Sequence, residues 1–480
     1  MYFRKNIALK LPNDIASCHK LILAQQETIL HLLKHAQRIE QLEARVKELE
    51  AQLKQNSDNS HRPPSSDGLR KKPALPRPKG KKRGGQAGHK GKTLEMVQNP
   101  DHEQPHAPIR CSCGRDLSDV PKQVVERRQV FDLPQPKLEV TEHQLQSCIC
   151  PDCQRLQVGQ FPKAVPARVQ YGPGVRSLVV LLNNGFKLSL SNIRQFFTDI
   201  FGYELNEATQ LAANAKCYQA LEQSEGRIKE GLLASVVNHF DETGIRVGGK
   251  LHWLHNCSNE LYTYLFVHPK RGKKALNDAP SLIPHYRGWA VHDCWASYFR
   301  YNQCRHAICG AHLLRDLHAL VEQGSHWADR MRDLLLYAYT KSDEGKSVVS
   351  NFGRIERQYA RICEMAQSEE PPPEYRYENK RPKKTKGRNL MERLVQHKDA
   401  VLAFAKYPEV PFTNNQAERD VRPAKIKQKM AGCFRTLQGA QTYARIQGFI
   451  STTRKHQRNV FNELVATFGG YNFLTAPGGC

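Results

Sequence analysis

The chain has 480 residues, with 72 Lys and Arg against 47 Asp and Glu, a formal net charge of +25. No apolar run approaches the roughly 18 residues of a membrane-spanning helix. The first twenty residues carry no apolar stretch followed by a small-residue cleavage site. A membrane protein and a secreted one are therefore not expected, and a cytoplasmic, nucleoid-associated protein is. So large a positive excess points to a polyanion partner, most simply nucleic acid. Fourteen cysteines in so long a chain fit a reduced protein with a metal site better than a disulfide framework.

Residues 1–55 read as a coiled coil. Leu32, Ile39, Val46 and Leu53 recur every seven residues, with Leu42 and Leu49 three residues after Ile39 and Val46, among Glu, Gln, Lys and Arg. This predicts self-association as a homo-oligomer. Residues 56–101 turn to Pro, Gly, Ser and Lys, too polar to fold alone. Between Arg70 and Lys92 there are ten basic residues and no acid. A basic linker results, with Lys81, Lys82 and Arg83 as candidate phosphate contacts.

Residues 102–166 form a cysteine-bearing module with strand-like runs such as KLEVTEHQL. Residues 167–233 turn helical, and DIFGYELNEAT within them has the helix, glycine turn and new helix of a helix-turn-helix unit. Residues 234–435 begin with four short strands. SVVNHFDETGIRVGG and GWAVHDCWASY supply the first and fourth, each expected to end in an acid, with LHWLHNCS and ELYTYLFVH between them. A helix follows at ICGAHLLRDLHALVEQ, then a largely helical stretch at about 325–405. A further helix begins near TNNQAERDVR, and Pro423 is expected to end it at about Val421 or Arg422. Residues 436–480 complete a helical C-terminal region.

The first and fourth strands can lie side by side, with Asp241 and Asp293 at the sheet edge where ligands bind in α/β folds. Glu418, on the late helix, supplies a third carboxylate. Hard oxygen ligands of this kind suit Mg2+, or Mn2+ in its place, shared with phosphate oxygens.

The motifs DETGIRV, KLHWLH, VHDCWASYF, CGAHLLRDL and TNNQAERDVR occur in this order. Together with the N-terminal zipper, the linker and the cysteine module they closely resemble insertion-sequence transposases of the IS-sixty-six family, which are of the DDE class. The resemblance covers nearly the whole chain. It implies a multidomain α/β protein with an RNase H-like catalytic core carrying a helical insertion. A coiled coil, a zinc-finger-like module and a helical DNA-binding region would precede that core. It implies that Asp241, Asp293 and Glu418 are the catalytic, metal-binding acids. The partners it implies are the element's terminal inverted repeats, target DNA, and in such systems small accessory proteins.

Cys150-Pro-Asp-Cys153 has the spacing of a zinc knuckle. The expected zinc ligands are Cys111, Cys113, Cys150 and Cys153, although the first pair is one residue tighter than the family's usual C-x-x-C. His306, Cys309 and His312 are spaced to share one helical face, a second metal possibility. The resemblance instead turns His312 and Arg315 toward the catalytic pocket as phosphate-holding groups. After Glu418, Arg419, Arg422, Lys425 and Lys427 form a basic strip for flanking phosphates.

The function expected is metal-dependent strand cleavage and strand transfer at the ends of an insertion sequence. The alternatives are a catalytically inactive DNA-binding protein or repressor derived from a transposase, and a metal-dependent DNA nuclease that nicks without joining.

Overall fold

The computed structural model describes residues 14–53, 94–342, 348–373 and 384–476. The chain divides into two compact units. One comprises Met1–Leu69, Gly172–Ser189 and Leu211–Cys480, the other Arg70–Tyr171 and Leu190–Gln210, each over its described residues.

In chain order, the elements begin with α1 (Ile15–Leu53), β1 (Ser147–Ile149), β2 (Leu156–Val158) and α2 (Pro173–Val180). Then come α3 (Leu190–Phe201), α4 (Glu207–Ala220), α5 (Glu222–Ala234), β3 (Val237–Val247), β4 (Lys250–Ser258) and β5 (Thr263–His268). The short α6 (Lys273–Asn277), β6 (Trp289–His292), β7 (Arg305–Ile308) and α7 (Gly310–Val321) follow. A helical stretch holds α8 (His326–Lys341), α9 (Phe352–Glu369), α10 (Lys386–Gln396), α11 (Lys398–Val401) and α12 (Ala403–Lys406). The last helices are α13 (Asn415–Ala431), α14 (Leu437–Lys455) and α15 (Val460–Phe468).

The larger unit is built on a five-stranded mixed sheet in the order β5-β4-β3-β6-β7. β4 runs antiparallel to both β3 and β5, and β6 and β7 run parallel to β3. The β3–β4 hairpin closes through Gly248 and Gly249, both at positive φ (54° and 76°), flanked by the Val247–Lys250 pair. That two-residue turn needs residues without a Cβ penalty in the left-handed region.

Side chains alternate across the pleat and feed separate cores. Ile245, Val247, Leu254, Leu265 and Val267 pack with Ala424 of α13 and Ala440, Tyr443 and Ala444 of α14. On the other face Phe240, Cys257 and Tyr264 meet Ile228 and Leu232 of α5, together with Tyr286 and Tyr298. A third core joins Val291 and Ile308 of β6 and β7 to α7–α12 around the fully buried Trp327. Glu369, at the end of α9, caps α8 by accepting from the Trp327 N–H at 3.1 Å.

Four local expectations need correction. β3 does not end at Asp241 but runs on to the glycine turn, because Ile245 and Val247 still have a core to enter. A fifth strand, β7, precedes α7; at four residues it is too short for its own alternation to signal it. Pro423 lies inside α13 rather than ending it. Ala417, Asp420, Val421, Ala424 and Lys427 are buried on both sides of it, so the packed face outweighs the lost backbone hydrogen bond. Residues 137–145 form no strand, and all of them but Leu138 are exposed, so their alternation has no core face to fill.

In the smaller unit β1 and β2 pair as a hairpin around Cys150–Cys153. None of the residues 94–171 is buried. α3 is followed by Gly202 at φ 71° and by the start of α4. The Gln210 side chain ties this turn by donating to Leu190 O (3.1 Å) and Leu205 O (3.0 Å).

Candidate active site

The register of β3 and β6 brings the first two acids together. The parallel ladder pairs Val237 with Trp289, Asn238 with Ala290 and His239 with Val291. The ladder ends two residues before Asp241 and Asp293, and the Asp293 carboxylate lies near enough to raise Asp241. β6 has ended at His292, so Asp293 stands in the turn beyond it. Its Oδ1 accepts from Trp295 N at 3.0 Å. Asp241 pairs across β4 with Asn256, and its Oδ1 accepts from Glu242 N at 2.8 Å.

Glu418 lies in the first turn of α13. The start of that helix is fastened by the buried Asn414. Its amide donates to Phe240 O (2.8 Å), its Oδ1 bonds His239 Nδ1 (2.9 Å), and its backbone N–H donates to Cys309 Sγ (3.1 Å). One residue therefore ties α13 to β3, just before Asp241, and to the start of α7. Behind Glu418, Asp420 forms a buried ion pair with Lys455 of α14 (2.8 Å).

The electrostatics follow from this crowding. Burial, then the neighbouring carboxylates of Glu242, Asp293 and Glu418, hold the Asp241 carboxyl well above its ordinary range. Glu242 is raised by burial and by Asp293, but it is neutralised in place: Arg271 Nε donates to it at 2.7 Å and Tyr298 OH at 2.7 Å. Glu418 Oε1 is buried and accepts no hydrogen bond, and His312 Nε2 approaches only to 3.8 Å. Asp241 and Glu242 are raised by burial and by their acidic neighbours, and one Glu418 oxygen is buried and unsatisfied. These features suit a divalent cation, although Asp241, Asp293 and Glu418 do not bring three donor atoms within 4.8 Å of one another.

The other expected residues fall into groups. His312 and Arg315 lie on α7, half-buried, and His312 reaches Glu418. Arg419, Arg422 and Lys425 are exposed on α13, the last donating to Gly244 O. Lys427 is a correction: it is buried, with its ammonium on Asn183 O (2.8 Å), and is withdrawn from the basic strip. Burial lowers its pKa to about 8. Lys81, Lys82 and Arg83 lie outside the described residues.

His306 does not share a helical face with Cys309 and His312. It sits on β7 and bonds His292 (3.1 Å). Among the described residues, one group of three or more His, Cys, Asp or Glu brings its donor atoms within 4.8 Å of one another: Cys309, His312 and Glu418. Burial raises the Cys309 thiol, and its sulfur already holds the Asn414 N–H, so it is a structural acceptor rather than a ready metal ligand.

The module cysteines stand as two pairs, and no three of their sulfurs come within 4.8 Å of one another. In each pair a tight turn directs N–H groups and a second thiol at one sulfur. Cys111 is lowered chiefly by the Cys113 N–H, and Cys150 by those of Cys153 and Asp152.

Asn414 and Glu242 escaped the sequence reading, and Cys309 entered it only as a possible metal ligand. Asn414 and Glu242 sit beside motif acids in NNQAE and DET, but an amide that staples and a carboxylate that is neutralised carry no spacing signature of their own.

A family model described as Transposase IS66 family matches residues 168–442, more than half of the chain. A family of unknown function, DUF6444, matches residues 17–95. No individually curated protein matches. Among the described residues no helix is long and apolar enough to cross a membrane. With the family's match spanning the whole sheet, all three acids and the helices between them, the chain belongs to the IS66 family of transposases.

Proposed function

We propose that this protein cuts DNA strands at the ends of an insertion sequence and joins the freed 3′ ends to target DNA. Asp241, Asp293 and Glu418 would be its catalytic carboxylates. The observation that carries this reading is the parallel β3–β6 pairing, which ends two residues before Asp241 and Asp293, while Asn414 fastens the helix bearing Glu418 to the same strand. Three antiparallel strands followed by two parallel ones are the order expected of an RNase H-like core, and α8–α12 would be its helical insertion.

Asp241, Asp293 and Glu418 would hold Mg2+, or Mn2+ in its place. Such ions supply activation of a water or 3′ hydroxyl and stabilisation of the leaving oxygen. The chain's own groups do the rest. Asn414 and the Asp420–Lys455 pair fix Glu418. Arg271 and Tyr298 neutralise Glu242, so that it does not compete for the cation. His312 and Arg315 on one side, and Arg419, Arg422 and Lys425 on the other, bind phosphates flanking the cut.

The remaining modules serve the same substrate. α1 leaves Leu32, Ile39, Leu42, Val46, Leu49 and Leu53 exposed, a seam for a second copy of the chain. The segment with Lys81, Lys82 and Arg83 and the α3–α4 turn would contact DNA. Zinc on Cys111, Cys113, Cys150 and Cys153 would supply the centre that residues 94–171, with nothing buried, otherwise lack; it requires the two thiol pairs to close on one another.

The test is strand cleavage in Mg2+ on DNA carrying the element's own ends, with any accessory proteins supplied. Wild type should cut and join. Asp241→Asn and Asp293→Asn should bind the same DNA and do neither. Binding without cutting by wild type would favour a DNA-binding repressor, and cutting without joining a nuclease.

A further inference from the structure

Arg271, in the loop after β5, lies against two indole rings. Its guanidinium carbon is 5.0 Å from the ring centre of Trp253 and 4.4 Å from that of Trp295. It also ion-pairs with Glu242, yet its side chain stays 38% exposed while that of Glu242 is 1% exposed. Trp253 and Trp295 are half-buried, whereas Trp289 and Trp327 are buried. The stack is tied to both proposed acids: Glu242 follows Asp241 on β3, and the Trp295 backbone N–H donates to Asp293 in the turn after β6. Lys270 in the same loop and Lys273 and Lys274 at the start of α6 are exposed, and no acid occurs from Leu261 to Asn277.

An ion pair that only had to neutralise Glu242 would need neither indole nor three exposed ammonium groups. Flat aromatic and guanidinium faces take nucleobases by stacking, and ammonium groups take the phosphates between them. An unpaired strand presents both together, while a duplex hides its base faces.

We propose that Trp253, Arg271 and Trp295, with Lys270, Lys273 and Lys274, form a subsite for unpaired DNA beside the scissile phosphate. This rests on the function proposed above. It adds that the strand at the cut is bound with its bases unstacked from their partners.

The experiment is a titration of the full-length protein's tryptophan fluorescence with a short oligothymidylate and with a blunt duplex of equal length. The oligothymidylate should quench, and the duplex should quench far less. Trp295→Ala should weaken oligothymidylate binding about 5- to 100-fold, and Trp295→Phe should restore most of it. Replacing Lys270, Lys273 and Lys274 together by Gln alters only exposed side chains. It should lower the slope of log affinity against log salt by about 2. The proposal is overturned by absent quenching, by equal quenching from the duplex, or by Trp295→Ala and the triple variant binding as wild type does. If wild type cuts element ends while these variants bind normally, the subsite fails and the transposase reading stands. If wild type shows the quenching and its losses but never cuts, the transposase reading fails and the subsite remains.

Discussion

The side-chain amide of Asn414 donates to the carbonyl of Phe240 across 2.8 Å. Phe240 precedes Asp241, and Asn414 begins the turn that carries Glu418, so this bond joins two residues of the site that are far apart in sequence. Asn414 is itself buried and also serves His239 and Cys309.

Replacing Asn414 by Ala should therefore act twice. Loss of buried hydrogen bonds should cost about 1–3 kcal/mol of stability, read as a lower urea midpoint. Loosening Glu418 should cut the strand-cleavage rate about 10- to 100-fold, the range for residues supporting metal ligands. A folded variant cutting at the wild-type rate would remove Asn414 from the positioning role.

The crowded carboxylates give a pH signature. The folded-state pKa of Asp241 lies above its ordinary value of 3.8. Between those two values the folded protein keeps a proton that the unfolded chain has lost. The stability this group contributes is thus greatest below its unfolded pKa and falls as pH rises through the folded one. A divalent cation binds the ionised form, so the rise in Tm on adding Mg2+ or Mn2+ should be larger at pH 8 than at pH 5. Asp241→Asn should raise the metal-free Tm and abolish the metal-dependent rise. An equal metal effect in that variant would sink this account of the site's charge.

Lys427 and its neighbours on α13 should separate cleanly. Arg419→Gln and Arg422→Gln alter exposed residues and should each reduce the salt slope of duplex binding by about 0.9. Lys427→Gln breaks the bond to Asn183 and should lower Tm while leaving the salt slope unchanged. A changed slope for Lys427→Gln would return it to the DNA surface.

The cysteine module makes a prediction about metal content. Purified protein should carry about one zinc per chain, and Cys150→Ser should lose it. Residues 94–171 should then become more sensitive to protease, since nothing there is buried. Zinc retained in full by Cys150→Ser would exclude the proposed ligand set.

What the sequence made legible was tied to local pattern. Apolar runs before Asp241 and Asp293 marked two strands. Ordered motifs marked Glu418. Relationships set by packing were hidden. The continuation of β3 past Asp241 depends on α13 and α14 covering Ile245 and Val247. The passage of α13 through Pro423 depends on the same packed face. The burial of Lys427 depends on carbonyls at 183 and 188, far away in the chain. The charge pattern of α13 showed a basic strip, but not which of its members faces inward.

The most direct measurement is a change of metal preference. Thiolate is a softer ligand than carboxylate and suits Mn2+ better than Mg2+. Element-end cleavage by Asp241→Cys should be lost in Mg2+ and return in part in Mn2+, with Asp241→Asn inactive in both. Cleavage by Asp241→Cys and Asp241→Asn at the wild-type rate in Mg2+ would show that Asp241 holds no catalytic metal.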